Sequence, residues 1–388
     1  MIQAASLADA STPAWREPLA QFQAFTIAHL HLVAAKDSLI AAIRESEPNS
    51  IVMVFGPTGV GKTTLRMRIE QILMQELQTE LEVNRSRIPV ASVEAIAPDS
   101  GSYCWRSYFR RLLNELSDPL ADRRRLSGFD GNADPDEPFT ITRRSSGSEY
   151  RYAVEQTLRF RKPAAVLIDE AQHLGKVASG RRLLDQLDVI KSIANRTNTV
   201  HVLFGTYDLL AFRNLNGQLS RRSVDVHFPR YRADAAGDRE IFINVVHSFQ
   251  KKLPLKEPPD LVQHWDFLYE RSLGCVGVLK QWLVKTLASA LRHGAATIGI
   301  RELETHALSM TQCDKILSEI MEGEARLEDG DRGHSTVRKR LGLTDAVVPP
   351  PASENPAQPP KKSGRHARPG QRKPARDPIG QPGYAECV

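Results

Sequence analysis

The chain has 388 residues, 41% of them apolar and 25% charged, with a formal net charge of +6. That is enough apolar sequence to bury one large domain with an accessory lobe, or two ordinary domains. No apolar run approaches the ~18 residues of a membrane helix. The opening residues, which include Asp9 and Glu17, lack the apolar stretch of a secretory signal, so a cytoplasmic protein with no membrane partner is expected. Cys104, Cys275, Cys313 and Cys387 are scattered singly, which reads as free thiols and excludes a disulfide framework. A pI near 9.1 permits an acidic partner such as nucleic acid without establishing one.

In chain order, Phe25, Leu30, Leu32, Val33, Leu39, Ile40 and Ile43 recur at helical spacing and predict an amphipathic helix over 20–45. Pro48-Asn49-Ser50 breaks it. Ile51–Phe55 is a short apolar run ending at Gly56-Pro57, the pattern of a strand buried on both faces of a parallel sheet. Helical periodicity returns over 63–81. A second strand is expected over 89–96 and a helix over 105–116. Residues 117–148 are rich in turn residues and read as a long surface excursion. A helix over 149–160 leads to a strand over 164–168, and a helix over 183–195 to a strand over 200–204. A helix over 209–219 and a last strand over 224–228 follow.

Strands separated by helices imply right-handed crossovers and a parallel sheet sandwiched by helices, an α/β fold. After about residue 235 the strand pattern stops. Residues 238–251, 259–272, 276–292 and 301–321 all read as helices, a small all-helical lobe. Residues 349–388 hold ten prolines and seven Lys or Arg against three Asp or Glu. Such a basic tail cannot bury a core and is expected to be disordered.

The firmest motif is Gly56-Pro57-Thr58-Gly59-Val60-Gly61-Lys62-Thr63, followed by Thr64. It satisfies G-x-x-x-x-G-K-[ST] and sits where that motif must, between a strand and a helix. Glycines let backbone N–H groups wrap phosphates, and the helix that follows aims its positive end at them. Lys62 supplies a point charge for the β- and γ-phosphates, and the Thr63 hydroxyl is a hard ligand for Mg²⁺. ATP and Mg²⁺ are the expected cofactors.

Ala165–Glu170 is an apolar strand ending in two carboxylates. Asp169 is expected at the metal and Glu170 at the attacking water, which makes the protein an ATPase. Gln172 and His173 follow closely enough to line the site. Thr206, at the tip of the 200–204 strand, either helps orient the water or caps the next helix. Arg221 or Arg222 either completes a neighbouring subunit's site as an arginine finger or stays a solvated charge. In Gly277-Val278-Leu279-Lys280, Lys280 either reaches back to the nucleotide or serves ordinary helix packing.

Together these motifs resemble the AAA+ superfamily over roughly residues 30–320. More narrowly, Leu167-Ile-Asp-Glu-Ala-Gln-His-Leu174, Leu203-Phe-Gly-Thr-Tyr-Asp-Leu209 and Leu219-Ser-Arg-Arg222 resemble the AAA+ regulators of DNA transposition of the TniB/TnsC type. The Asp-Glu-Ala-Gln-His string is shared with secretion-associated AAA ATPases, and a replication-initiator-like switch is a further alternative. The resemblance implies an N-terminal helical arm (1–45), an AAA+ α/β nucleotide-binding domain (46–235), a helical lid (236–325) and a Pro-rich basic tail (326–388). It also implies a bacterial, nucleoid-associated homo-oligomer, a ring or filament on double-stranded DNA. That oligomer would link a target-selection protein to the transposase and be disassembled by ATP hydrolysis.

A filament on DNA needs basic side chains aimed at phosphates. The candidates are Arg106, Arg110, Arg111, Arg123, Arg124, Arg125, Arg143 and Arg144. The basic tail either docks on a protein partner, binds DNA nonspecifically or only solubilises.

Overall fold

The structure is a computed structural model and describes residues 13–98, 103–116, 125–126, 139–140, 145–175, 181–213 and 223–342. Arg123, Arg124, Arg143, Arg144, Arg221, Arg222, Cys387 and the basic tail lie outside the described residues. Of Arg125 only the backbone is described.

The chain opens with helices α1 (Arg16–Ala24) and α2 (Leu30–Glu45), strand β1 (Ile51–Phe55), helices α3 (Lys62–Glu76) and α4 (Gln78–Val83), and strand β2 (Val90–Glu94). Helix α5 (Trp105–Glu115), strands β3 (Arg125–Leu126) and β4 (Phe139–Thr140), helix α6 (Gly147–Arg161) and strand β5 (Ala165–Asp169) come next. A 3-10 turn (Ala171–Leu174), helix α7 (Arg181–Thr197), strand β6 (Val200–Gly205), a second 3-10 turn (Tyr207–Leu209), helix α8 (Leu210–Arg213) and strand β7 (Ser223–His227) complete the α/β part. The helices that follow are α9 (Ala236–Lys252), α10 (Trp265–Ser272), α11 (Val276–His293), α12 (Ile300–His306) and α13 (Met310–Arg340).

Five strands pair in the order β2-β5-β6-β1-β7, every pair parallel. Alternation sorts each strand's side chains to two faces. Ile51, Met53 and Phe55 join α5, α6 and α7 in one core. Val52 and Val54 join α2 and α3 in the other. Both faces are covered, so β1, β5 and β6 are buried end to end. That is why these strands read as continuous apolar runs rather than alternating ones. This is a parallel sheet sandwiched by helices and followed by an all-helical part.

Three local expectations change. The helix expected over 20–45 is two helices, because Phe25 takes an extended backbone that ends α1 and His29 caps α2 by accepting the Leu32 N–H through Nδ1. The two helices also serve different cores. Leu19 and Phe22 of α1 pack in the lid core with Phe249, while Leu32, Leu39 and Ile43 of α2 pack on the sheet. The helix expected over 301–321 is likewise two, interrupted where Ala307 turns extended. The last of them, α13, runs to Arg340, well past residue 326, where the sequence turns charged and glycine-containing. Ser145-Ser146-Gly147, read as part of the surface excursion, starts α6 instead. The Ser146 hydroxyl accepts the Glu149 N–H and the Glu149 carboxylate accepts the Ser146 N–H, a reciprocal cap.

By compactness the chain divides into Met1–Gly333 and His334–Val388. Among the described residues no helix is long and apolar enough to cross a membrane.

Candidate nucleotide-binding site

β1 ends at Phe55, and the chain turns through Gly56–Gly61 before α3 begins at Lys62. Gly59 and Gly61 have φ of +76° and +119°, a left-handed region that side chains rarely tolerate. The loop can therefore fold back so that the N-terminus of α3 faces the space above the strand ends. Lys62 is buried. Its Nζ donates to the carbonyls of Gly56 (3.0 Å) and Pro57 (2.8 Å). Burial pushes its ammonium down to about 8, opposed by the nearby Glu170 carboxylate. A cation desolvated in this way gains from any anion brought to the loop.

β5 lies two strands away from β1, with β6 between them. This order carries Asp169, Glu170 and Thr206 to the same sheet edge as the loop. Asp169 Oδ1 accepts the Glu170 N–H at 3.0 Å. Glu170 itself adopts φ +52°, a strained conformation for a non-glycine residue. Gln172 holds it there: its Nε2 donates to Glu170 Oε2 at 2.5 Å, and its Oε1 accepts the Thr206 N–H at 3.3 Å. Gly205 makes room for this amide, since a Cβ there would stand 2.6 Å from Gln172 Oε1.

Thr206 caps the turn after β6, its hydroxyl accepting the Asp208 N–H at 3.4 Å, and it also borders the cleft. Thr58, Lys62, Thr63, Thr64, Glu170, Gln172 and Thr206 line one cavity of about 770 Å³, closed on the far side by Gly277, Val278 and Lys280 of α11. Pro57 and Val60 stand beside it, Pro57 toward Thr206 and Val60 toward His29 and Phe228. Lys280 borders the cavity together with Gln23. Its Nζ donates to the Gln23 carbonyl at 2.7 Å, tying α11 to α1. His173 stands beside Glu170 and Gln172, with Nδ1 2.7 Å from the Ala95 carbonyl.

The residues expected at a metal fit one chemically. Thr63 and Asp169 border a common cleft of about 550 Å³ and offer the hard oxygen donors that Mg²⁺ takes alongside phosphate oxygens and water.

Residues 44–212 match the family model described as AAA domain. The chain resembles an AAA domain over this segment. No curated protein matches it. Among solved structures it is similar to the ORC2 protein of Aeropyrum pernix in its ADP form, at 13% identity and a TM-score of 0.48 over 75% of this chain and 71% of that one. It is also similar to the Aeropyrum pernix ORC1 protein in complex with DNA, at 17% identity and a TM-score of 0.47 over 75% and 68%. A third is the Walker-type ATPase PABY2304 of Pyrococcus abyssi, at 16% identity and a TM-score of 0.38 over 82% and 85%. Overlaps this loose define neither ligand nor partner.

Several residues around the cleft escape a reading by motif. Arg66, one turn beyond Lys62, donates to Asp169 Oδ2 at 3.0 Å. Helical phase could have found it, because position i+4 returns to the face of Lys62. Arg230, just past β7, forms a two-pronged ion pair with Glu324 of α13 at 3.0 and 3.1 Å. Through it α13 lies beside Tyr207, so that Glu319, Glu322 and Arg326 border a second cavity of about 460 Å³ shared with Thr58, Glu170 and Thr206. Nothing local in residues 310–326 signals this, since the contact joins positions 94 residues apart.

Of the arginines expected at DNA, Arg106 and Arg110 are exposed on α5, and the Arg106 guanidinium lies over the Tyr150 ring at 5.9 Å. Arg111 turns inward and donates to the Glu94 carbonyl at 2.7 Å, pinning α5 to β2.

Proposed function

We propose that this chain is an ATPase that regulates DNA transposition. It assembles as a homo-oligomeric ring or helical filament on double-stranded DNA, links a target-selecting protein to the transposase, and is taken apart by ATP hydrolysis. The observation that carries hydrolysis is the Glu170–Gln172–Thr206 bridge, which holds a carboxylate at the rim of the cavity that also contains Lys62. The transposition role is supported by the strings Leu167–Leu174, Leu203–Leu209 and Leu219–Arg222, which resemble those of such regulators.

In this reading the N–H groups of Gly56–Thr64 cradle the phosphates and Lys62 exchanges its two loop carbonyls for phosphate oxygens. Thr63 and Asp169 would hold Mg²⁺, which would supply charge neutralisation for the bound phosphates. Glu170 accepts a proton from, and orients, the attacking water. Thr206 positions that water from the neighbouring strand tip. Lys280, held by Gln23, closes the cavity mouth. Arg221 or Arg222 of a neighbouring copy completes the charge around the γ-phosphate.

DNA is contacted through phosphates by exposed arginines, with Arg106 and Arg110 of α5 foremost. Arg111, committed to the Glu94 carbonyl, holds the helix that presents them. The basic tail serves as a tether for a protein partner.

Electron microscopy of the protein with duplex DNA and a slowly hydrolysed ATP analogue tests the reading. Rings or filaments on DNA that disappear with ADP are expected. Normal nucleotide turnover with no assembly on DNA would remove the transposition reading and leave an AAA ATPase of another kind, a secretion-associated or initiator-like switch.

A further inference from the structure

Arg66 is the cation nearest the carboxylate assigned to the metal. It projects from α3 one turn beyond Lys62 and Thr63. It reaches three elements at once: Nε donates to Asp169 Oδ2 on β5 at 3.0 Å, Nη1 donates to Ser92 Oγ on β2 at 2.6 Å, and Nη1 also pairs with Glu70 on α3. The Arg66 side chain is 20% exposed and that of Asp169 11%, so water screens the pair only in part. Asp169 Oδ1 is already occupied by the Glu170 N–H. Both oxygens of the metal carboxylate are therefore engaged by the protein itself. The surrounding cleft also holds Glu70, Glu94, Glu115 and Glu170, and Arg66 is the sole cation among its described lining residues.

We propose that Arg66 is a positioning residue that acts as the built-in counter-cation of Asp169 and thereby sets how much Mg²⁺ the nucleotide site requires. The inference rests on the reading of Thr63 and Asp169 as the metal ligands. Two effects compete. Arg66 orients the Asp169 carboxylate, which favours the metal by the small entropy of one short side chain. Against this, a guanidinium on Oδ2 repels a divalent cation approaching the same carboxylate and holds the oxygen it needs. Even at an effective dielectric of about 20, charges a few ångströms apart interact by more than that entropy. Repulsion therefore wins, and Arg66 weakens metal binding.

For the nucleotide the sign reverses. Without metal, Arg66 offsets the carboxylates facing the phosphates. Its loss should weaken metal-free nucleotide binding while tightening Mg²⁺ binding. A merely structural residue would weaken both.

The test measures binding of a fluorescent ADP analogue by the full chain across a Mg²⁺ titration, with Mn²⁺ binding followed by electron paramagnetic resonance as a second readout. In Arg66→Met the half-saturating Mg²⁺ is expected to fall about tenfold and metal-free ADP affinity to drop severalfold. Arg66→Lys should stay near the parent. Glu70→Gln, which leaves Arg66 fewer anions to share, should raise the Mg²⁺ requirement and decides the matter if Arg66→Met does not fold. A half-saturating Mg²⁺ that is unchanged or higher in Arg66→Met, or unchanged in Glu70→Gln, overturns the proposal while the parent's metal dependence stands. A parent whose ADP affinity ignores Mg²⁺, with Thr63→Val behaving identically, overturns the metal-site reading itself and the proposal with it.

Discussion

The N–H of Val278 donates to the carbonyl of Gly59 at 3.1 Å, so the first turn of α11 rests directly on the glycine loop. Gly277 makes this possible, because a Cβ there would meet the Gly59 carbonyl oxygen at 2.4 Å. The lid thus touches the backbone that is assigned to the phosphates. Nucleotide occupancy and lid position are coupled through that contact in the proposed mechanism.

Gly277→Ala separates two opposing effects. Alanine should favour the helix by up to about 1 kcal/mol, yet it cannot fit without moving the loop. Nucleotide affinity is expected to fall at least tenfold while thermal stability stays within a few degrees of the parent. Fluorescence titration of an ADP analogue, alongside a melting curve, checks this. Affinity unchanged in the variant would mean the lid contact is incidental.

Glu170 and Gln172 should separate chemistry from binding. Glu170→Gln is expected to bind ATP normally, to lose about two or more orders of magnitude in turnover, and to give longer-lived assemblies. Gln172→Leu removes the amide joining Glu170 Oε2 to the Thr206 N–H. It should lower kcat by about tenfold or more with nucleotide affinity changed less than threefold. Single-turnover hydrolysis and equilibrium binding, measured together, distinguish these outcomes from general destabilisation.

Arg230 and Glu324 form a pair whose side chains are 10% and 16% exposed. Arg230→Met leaves Glu324 without its partner and should destabilise the fold by about 3 kcal/mol. The double variant Arg230→Met, Glu324→Leu should recover most of that loss, because neither charge then remains partly buried alone. Denaturant unfolding of the parent, the two single variants and the double variant forms the required cycle.

His201 sits in the middle of the sheet, 1% exposed, with Nδ1 2.9 Å from the Thr199 carbonyl. Burial pushes its imidazole down to about 4. The folded protein therefore keeps His201 neutral where the unfolded chain takes up a proton. Its contribution is fully present above about pH 6.5 and is lost as pH falls toward 4. Between pH 7 and pH 5 this residue alone should account for about 2 kcal/mol of lost stability. His201→Phe should flatten that part of the profile, which urea denaturation at the two pH values would show.

Much of the molecule was legible along the chain because its information is local. The run Ile51–Phe55 is apolar end to end because both faces of β1 are covered, and the observed strand has those bounds. The glycines of the loop announce a backbone that side chains would obstruct, and Gly59 and Gly61 take positive φ. The break at Phe25–His29 was harder to see, since apolar residues continue through it in helical phase. What separates α1 from α2 is that they serve different cores, a fact no short window contains.

By itself, then, the sequence determined the order of strands and helices, the glycine loop and the carboxylate pair, each set by short-range periodicity or by the steric needs of a few adjacent residues. Only the tertiary structure decided how they meet. Strand order brings β5 and β6 beside β1, a packing of distant segments that sets Gln172 between Glu170 and Thr206. Helical phase and the position of β2 together close Arg66 on Asp169 and Ser92. The lid's approach to Gly59 gives Gly277 its reason. These contacts depend on side chains from separated elements competing for the same space and the same hydrogen-bonding atoms. Such competition has no linear pattern, which is why it appears only once the chain is folded.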